Sequence, residues 1–560
     1  MINKKKKLCY ILPKYDENID EHYFHILRLL EEIGRYIEVS LIIERSSGTP
    51  QVKNVTHIFP QRFGNSNKLL RSLEIMYLAL RLRLNGYNKF FIRTSQTAAI
   101  PISLATRCTG GEVYLWRSGQ GKEMIPRWSL NKEVIKEKLF SEFTFKLALK
   151  LVDHFVTGPE SMAEYFTREW TVNPEKIVIL YNDVDTKRFS GDTDGLAAYH
   201  LRNDLSISSH KKIILMVHKL SPIRKTLKYL PKVISDVTDR MDDVLFLLVG
   251  GGTERPELER QIVSRGLQNH VIMTGSLPNK DIQKYYACAD VFIMPSYVEG
   301  FPRVIIEAMA SELPFVSTDA GGVRDLVTDE QQRFVVPKED VDLFSERLLE
   351  LLKDDNLRSR LGRGNREHVK KYSVENVAQM YIDRIFPICV YPLRGYLKRF
   401  ARQLVELDEY YAREMGNAYS HQGWDVEHFE KRLQGKEEYS RLAIDSDRKV
   451  AGFWIVSLSD EKSLHTHRIA VSTEYQGRGL AKRMFDEIAE KARRDGIGEM
   501  TISVAVSNTR GIMFYKKLGF KCLEGESLLS FMHKKSRPGK SLGDCIEEEG
   551  VRYYILTKAL

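Results

Sequence analysis

From residue 7 to about residue 185, short apolar runs alternate with longer stretches whose apolar positions recur every three or four residues. LCYILP reads as a strand, EHYFHILRLLEEIG as a helix ending at Gly34, and EVSLIIE as a second strand. KFFIRT, EVYLWR and HFVTG continue the series. Runs that are apolar throughout, separated by helical periods, predict an α/β unit built on a buried parallel sheet. The same alternation restarts near residue 210 and runs to about residue 372 through KKIILMVHKLS, DVLFLLVGGG, HVIMTGSL, VFIM and PFVSTDAGG. After Pro392 the pattern changes. SRLAID, KVAGFWIVSL and HTHRIAVS alternate apolar with polar positions and predict strands of a shorter α+β unit ending at Leu560.

The segment ACADVFIMPSYVEGFPRVIIE, residues 287–307, organises the second unit. It reads as a buried strand, a turn at Pro295-Ser296, the loop Glu299-Gly300-Phe301-Pro302, and a helix starting near Arg303. A glycine loop entering a helix N-terminus offers free backbone N–H groups and the positive end of the helix dipole to an anion. Two carboxylates frame it. Glu299 and Glu307 suit an anionic ligand if they accept hydrogen bonds from sugar hydroxyls; otherwise they are solvent-facing glutamates of an amphipathic helix.

Asp290, Pro295, Ser296, Glu299, Gly300, Phe301, Glu307, Ala308, Met309 and Gly321-Gly322 together resemble the E-x7-E motif of glycosyltransferase family 4, the retaining sugar-nucleotide enzymes of the GT-B fold. The resemblance implies two Rossmann-like domains facing a cleft. Residues 1–190 would be the acceptor side, closed by a helix within 372–390, and residues 191–390 the nucleotide-sugar side. KIVILYNDVDTKRF matches the family's interdomain stretch at Asn182, Val184, Asp185 and Phe189. Glu307 would hold the ribose and Glu299 orient the transferred sugar, with Gly300, Phe301, Pro302 and Arg303 around the donor. Lys219 and Arg224 stand where the family carries an arginine and a lysine over the diphosphate, exchanged in type; both can stabilise the charge of a departing nucleoside diphosphate. Asp325 replaces the glutamate of G-G-x-x-E. Gly250-Gly251-Gly252 serves either a ligand or a strand-end turn. In the first half, Pro13-Lys14-Tyr15-Asp16-Glu17-Asn18 replaces the usual glycine pair, and Arg93-Thr94-Ser95 stands where a histidine or acid is common, so no catalytic residue is assigned there.

In the last unit, Glu474-Tyr475-Gln476-Gly477-Arg478-Gly479-Leu480-Ala481 runs into the amphipathic helix KRMFDEIAEKARRDG. Glycines at a helix start expose the backbone N–H groups that a pyrophosphate needs. With TISVAVSNTRGIMFYKKLGF it resembles the two signatures of GNAT acetyltransferases. That resemblance implies that acetyl-coenzyme A binds at Val471, Gln476, Gly477, Arg478, Gly479, Leu480, Ala481 and Asn508. Tyr515 would protonate the departing thiolate or hydrogen-bond its sulfur. Glu474, His467 or a water could be the base. The polar segment 524–550 is either a lid or substrate loop or a mobile connection.

A chain of 560 residues, 43% hydrophobic and 29% charged, predicts a globular protein of two to four domains. No run approaches the ~18 apolar residues that span a bilayer, and the apolar part of MINKKKKLCYILP is too short for a secretory signal. Six cysteines without C-x2-C spacing suggest neither zinc nor disulfides, and no metal is expected. A reducing cytoplasm is the simplest setting. The net charge of +10 favours an anionic partner, and without a binding motif nucleic acid ranks last. The basic, apolar helices KLLRSLEIMYLALRLRL and KEKLFSEFTFKLALKLV either pack on their own sheet or lie on the anionic inner face of a membrane.

The combined expectation is one chain with two active sites. One transfers a sugar from a nucleotide sugar to a glycan or lipid-linked acceptor, with retention. The other acetylates an amine, an amino sugar being the economical choice, in bacterial surface polysaccharide assembly. The alternatives are an acetyl acceptor unrelated to the sugar, a regulatory acyl-CoA module, and a sugar-binding first half without catalysis.

Overall fold

The computed structural model describes residues 6–17, 24–65, 67–119, 132–190, 196–222, 226–416, 423–534, 540–542, 544–548 and 551–560. They form two compact units, Met1–Ile385 and Phe386–Leu560.

The first unit contains two sheets in which all paired strands run parallel. One comprises β1 (Lys7–Leu12), β2 (Glu38–Ile43), β3 (Val55–Pro60), β4 (Lys89–Arg93), β5 (Glu112–Trp116), β6 (His154–Thr157) and β7 (Ile177–Ile179), in the order β3-β2-β1-β4-β5-β6-β7. The other comprises β8 (Lys212–Val217), β9 (Val244–Val249), β10 (Val271–Gly275), β11 (Val291–Met294), β12 (Phe315–Thr318) and β13 (Val335–Val336), in the order β10-β9-β8-β11-β12-β13. Alternate residues of the central strands enter different cores. Ile213, Leu215, Phe292 and Met294 meet the helix Arg303–Ala310, whereas Ile214, Met216, Val291 and Ile293 meet the cluster holding Val233 and Leu348. Burial on both faces is why these strands read as unbroken apolar runs.

Chain order reverses between β1 and β4 and again between β8 and β11. Helices then leave on opposite faces, and the crevice between them opens at the strands' carboxyl ends. The helix Val374–Ile385 returns to lie along Phe24–Ile33, with Tyr381 packed at 5.2 Å from the Phe91 ring. The helix Lys68–Leu84 buries Ile75, Leu78, Ala79 and Leu82 but leaves Leu69, Leu70, Leu73 and Tyr77 exposed.

The second unit is a nine-stranded sheet made of β14 (Cys389–Pro392), β15 (Arg441–Ile444), β16 (Val450–Asp460), β17 (Ser463–Val471), β18 (Glu499–Ala505), β19 (Lys521–Cys522), β20 (Lys540–Leu542), β21 (Cys545–Glu548) and β22 (Val551–Ala559). Its order is β14-β15-β16-β17-β18-β22-β21-β20, with β19 on β22. Among the described residues of this unit, only β17 and β18 pair in parallel. The helix Leu397–Met415 covers one face through Leu397, Phe400 and Leu404, and Leu480–Arg494 covers the other through Met484 and Ile488. The former was not expected from the sequence. Its apolar positions do follow helical spacing, with charged residues filling the intervals. Of the polar stretch 524–550, the described residues form a helix, Gly525–Lys534, and the β20–β21 hairpin.

Candidate functional site

Loops after β8, β9, β11 and β12 gather at the carboxyl edge of the second sheet, beside its reversal. Glu299 follows β11 and is 9% exposed. Its Oε1 accepts a hydrogen bond from Ser296 Oγ at 2.9 Å and lies 3.0 Å from His218 Nε2, just past β8. Glu307 lies about one turn into the helix Arg303–Ala310. Its Oε2 accepts from the Tyr286 hydroxyl at 3.0 Å, and its Oε1 is 3.5 Å from the Arg303 guanidinium. Burial, then the Glu307 charge, holds the Tyr286 phenol well above its ordinary range. Tyr286 therefore remains a donor to that carboxylate.

The glycines here are required by backbone contact. A Cβ on Gly300 would stand 2.2 Å from the backbone nitrogen of Gly119, in the loop after β5. One on Gly322 would stand 2.0 Å from Pro159 Cγ. Asp325 accepts from the Ser161 amide at 3.0 Å, in the first turn of the helix Glu160–Trp170. Gly250 and Gly252 take φ 131° and 149°, and a Cβ on them would stand 2.1 and 1.9 Å from the carbonyl oxygens of His218 and Leu220. This glycine trio therefore interlocks two loops. Arg93, at the end of β4, stacks 3.2 Å over Trp116 and donates to Asn182 Oδ1 at 2.6 Å; Asn182 donates to the Phe301 carbonyl at 3.3 Å. That chain of contacts ties the edge of the first sheet to the Glu299–Pro302 loop.

The second unit holds a different site. β17 and β18 are paired only from Ser463↔Glu499 to Thr466↔Ile502, and beyond that level they part. The register against β16 shifts between Ile455↔Arg468 and Val456↔Thr466, a bulge that holds His467 at the point of parting. A cavity of about 230 Å³ opens there, lined by residues 467–471 on one side and 502–505 on the other. Tyr411 and Met415 of the helix Leu397–Met415, with Asn508, Arg510, Phe514, Tyr515 and Tyr553, complete its wall. Tyr515 is 5% exposed, and burial holds its phenol well above the ordinary range. His467 Nε2 lies 2.7 Å from Ser457 Oγ. Beside the cavity, Gly477 and Gly479 take φ 75° and 73°, with open space where a Cβ would be. They are there for backbone handedness. The N-cap of the helix Leu480–Arg494 is Gly479, which offers no side chain to its first N–H groups, an arrangement that suits an anion.

Residues 200–368 match the family Glycosyl transferases group 1, and residues 404–520 match the Acetyltransferase (GNAT) family. The chain carries a group 1 glycosyltransferase domain and a GNAT acetyltransferase domain. It is 25% identical over 281 residues to the 2-deoxystreptamine N-acetyl-D-glucosaminyltransferase of Niallia circulans, covering 48% of this chain and 68% of that enzyme. It is 31% identical over 186 residues to the GDP-mannose-dependent alpha-(1-6)-phosphatidylinositol monomannoside mannosyltransferase of Mycolicibacterium smegmatis, covering 32% and 48%. Among solved structures, sucrose-phosphate synthase from Thermosynechococcus elongatus superposes with a TM-score of 0.54 at 18% identity, over 67% of this chain and 97% of that one. Anabaena HepE in complex with UDP gives 0.52 at 16%, over 68% and 98%. The two parallel sheets of the first unit are thus a GT-B fold.

In the glycosyltransferase domain, Glu299, Gly300, Phe301, Pro302, Arg303 and Glu307 lie together at the sheet edge. Lys219 is exposed, without a partner among the described residues, and Arg224 lies outside them. Sequence reasoning missed His218, for which a histidine directly after an apolar strand was the available signal, and it marked the position of Arg93 without giving that residue a role. In the acetyltransferase domain, Val471, Gln476, Ala481, Asn508 and Tyr515 line the cavity, and Gly477, Arg478 and Gly479 form the neighbouring loop. Leu480 is in the core. Asn508 caps its own helix, its Oδ1 accepting from the Gly511 amide at 2.8 Å. Gln476 is held by the Tyr411 hydroxyl, the Val471 carbonyl and Arg510. Of the two side-chain base candidates, His467 lines the cavity and Glu474 does not. Among the described residues no cluster of three or more His, Cys, Asp or Glu could hold a metal.

Because the Gly300 backbone leaves no room for a methyl group, Gly300→Ala should push two loops apart and lower sugar-transfer kcat/KM about tenfold or more, a misplacement effect. Acetyl transfer by the same protein should be unchanged; parallel assays of both reactions check this.

Proposed function

We propose that this chain is a bifunctional enzyme with three domains, residues 1–190, 191–390 and 391–560, that transfers a sugar from a nucleotide sugar and acetylates an amine. The observation that carries the first activity is the buried Glu299 and Glu307 pair at the reversal of a parallel sheet. Glu307 would accept from the ribose hydroxyls, Glu299 from hydroxyls of the transferred sugar, and Lys219 with Arg224 would offset charge on the departing diphosphate. The matched family supports a nucleotide-sugar donor. Retention of configuration and a glycan or lipid-linked acceptor rest on the family 4 resemblance.

The second activity rests on the parted strands. The cavity between the diverging ends of β17 and β18 would receive the amide-bearing arm of acetyl-coenzyme A, and the N–H groups around Gly477 to Gly479 its pyrophosphate. The amine attacks the acetyl carbonyl, and the thiolate leaves toward Tyr515. His467, at the bulge and in the cavity wall, takes the amine's proton. An amino sugar as acceptor links the two reactions economically, and the relative named for phosphatidylinositol monomannoside supports a reading of glycoconjugate assembly at the inner face of a membrane.

One further surface supports that setting. No helix among the described residues is long and apolar enough to cross a membrane. Leu69, Leu70, Leu73 and Tyr77 nonetheless stand exposed on a helix that also carries Lys68, Arg71 and Arg81, and Phe143 is 65% exposed on the helix Lys132–Leu151. An apolar row with basic neighbours suits an anionic bilayer surface.

Nucleoside diphosphate release from a panel of nucleotide sugars tests the first reaction. Glu307→Ala should cut it about 10- to 100-fold by removing charged hydrogen bonds, and unchanged release would rule out the assignment. Thiol release from acetyl-coenzyme A with amino-sugar acceptors tests the second, and Tyr515→Phe should lower kcat about a hundredfold. A phenol acting as an acid must keep its proton. Burial raises its pKa, so it stays protonated below that raised value, and kcat should hold level up to about pH 10 where an ordinary tyrosine would already ionise. Paired Leu73→Glu and Tyr77→Glu changes should weaken sedimentation with phosphatidylglycerol vesicles about tenfold or more, with phosphatidylcholine vesicles as the uncharged control.

A further inference from the structure

His218 and Glu299 follow β8 and β11, the neighbouring strands between which chain order reverses. Those strands are in register at Val291↔Ile214 and Phe292↔Leu215, so the two loops start from the same level of the sheet. The His218 side chain is 1% exposed and the Glu299 side chain 9%. Their contact, His218 Nε2 to Glu299 Oε1, is 3.0 Å, and Ser296 Oγ reaches the same oxygen at 2.9 Å. Thr226 Oγ1, at the start of the helix Thr226–Thr238, lies 3.5 Å from the other ring nitrogen.

An ionised carboxylate only accepts hydrogen bonds, so with Glu299 charged the imidazole proton sits on Nε2. A glutamate side chain left alone samples several rotamers and loses that freedom when it must hold a ligand. Two donors converging on one oxygen remove it beforehand and fix the plane of the carboxylate. A Cβ on Gly250 would stand 2.1 Å from the His218 carbonyl oxygen, so the Gly250 backbone locks the main chain behind the ring.

We infer that His218 is a positioning residue that presents the Glu299 carboxylate to the sugar of the donor, so that binding energy for the sugar, but not for the nucleotide, passes through this pair. The inference rests on the reading of Glu299 as the sugar-facing carboxylate. It places donor-sugar discrimination in the loop after β8 as well as in the loop after β11. A histidine serving only to fill the core would affect nucleotide and sugar nucleotide alike.

Calorimetric titration of the full chain separates these roles. UDP, UDP-glucose, UDP-N-acetylglucosamine, GDP and GDP-mannose are the probes, used with wild type, His218→Ala, His218→Gln, Glu299→Gln and the His218→Ala/Glu299→Gln double variant. For the sugar nucleotide that binds, His218→Ala should lower affinity at least tenfold while the matching nucleoside diphosphate changes less than twofold. His218→Gln, whose amide nitrogen can stand near the ring nitrogen, should recover most of the loss. In the Glu299→Gln background, His218→Ala should have little further effect, as expected of directly coupled residues. Equal losses for nucleotide and sugar nucleotide, or losses that multiply in the double variant, would overturn the positioning role while leaving the donor site intact. If Glu299→Gln alone leaves sugar-nucleotide binding unchanged, or if no probe binds, the sugar-facing reading of Glu299 falls and this inference with it.

Discussion

Both candidate sites depend on the same constraint: neighbouring parallel strands must separate somewhere, and where they do, backbone groups and side chains are left facing a shared gap. Parallel pairing leaves strand ends without the tight hairpins that close antiparallel ladders. Between β8 and β11 the separation is a matter of connectivity, because the helices that follow go to opposite faces. Between β17 and β18 it is a divergence within one sheet, beginning after Thr466 and Ile502 and helped by the bulge at His467. The carboxylates of one site and the cavity of the other occupy these two gaps.

Much of this was legible in the sequence wherever burial is two-sided. VFIM and VLFLLV read as strands because both faces of each are covered, and the Glu299 to Glu307 spacing survives as a compact group at one sheet edge. Among the elements that escaped, β3 is partly exposed, β7 has three residues, and β14 lies at the margin of its sheet. The helix Leu397–Met415 and the inner strand β22 escaped although neither is short. Other parts were invisible for a different reason. Arg93 meets Asn182, and Asn182 meets Phe301, across separations of 89 and 119 residues that no local pattern encodes. The local contacts of Gln476 and Asn508 are likewise not written in the signatures that contain them. Asn508 commits its oxygen to a helix cap, and Gln476 is held by three partners.

The two chemistries also use glycine in opposite ways. At Gly300 and Gly322 the missing side chain allows backbones to touch, so the residue is selected by lack of space. At Gly477 and Gly479 space is ample and a left-handed backbone is what matters. The distinction shapes tolerance. A small residue able to adopt positive φ, such as asparagine, is compatible with the second pair and excluded from the first.

The Asp325 carboxylate comes from the second sheet's loops but satisfies the opening turn of a helix belonging to the first. Any hinge motion that swings these layers apart therefore strips that helix of a cap, a loss of about 1 kcal/mol for typical caps. One carboxylate thus joins two sheet layers through a helix start, a link as small as a single cap.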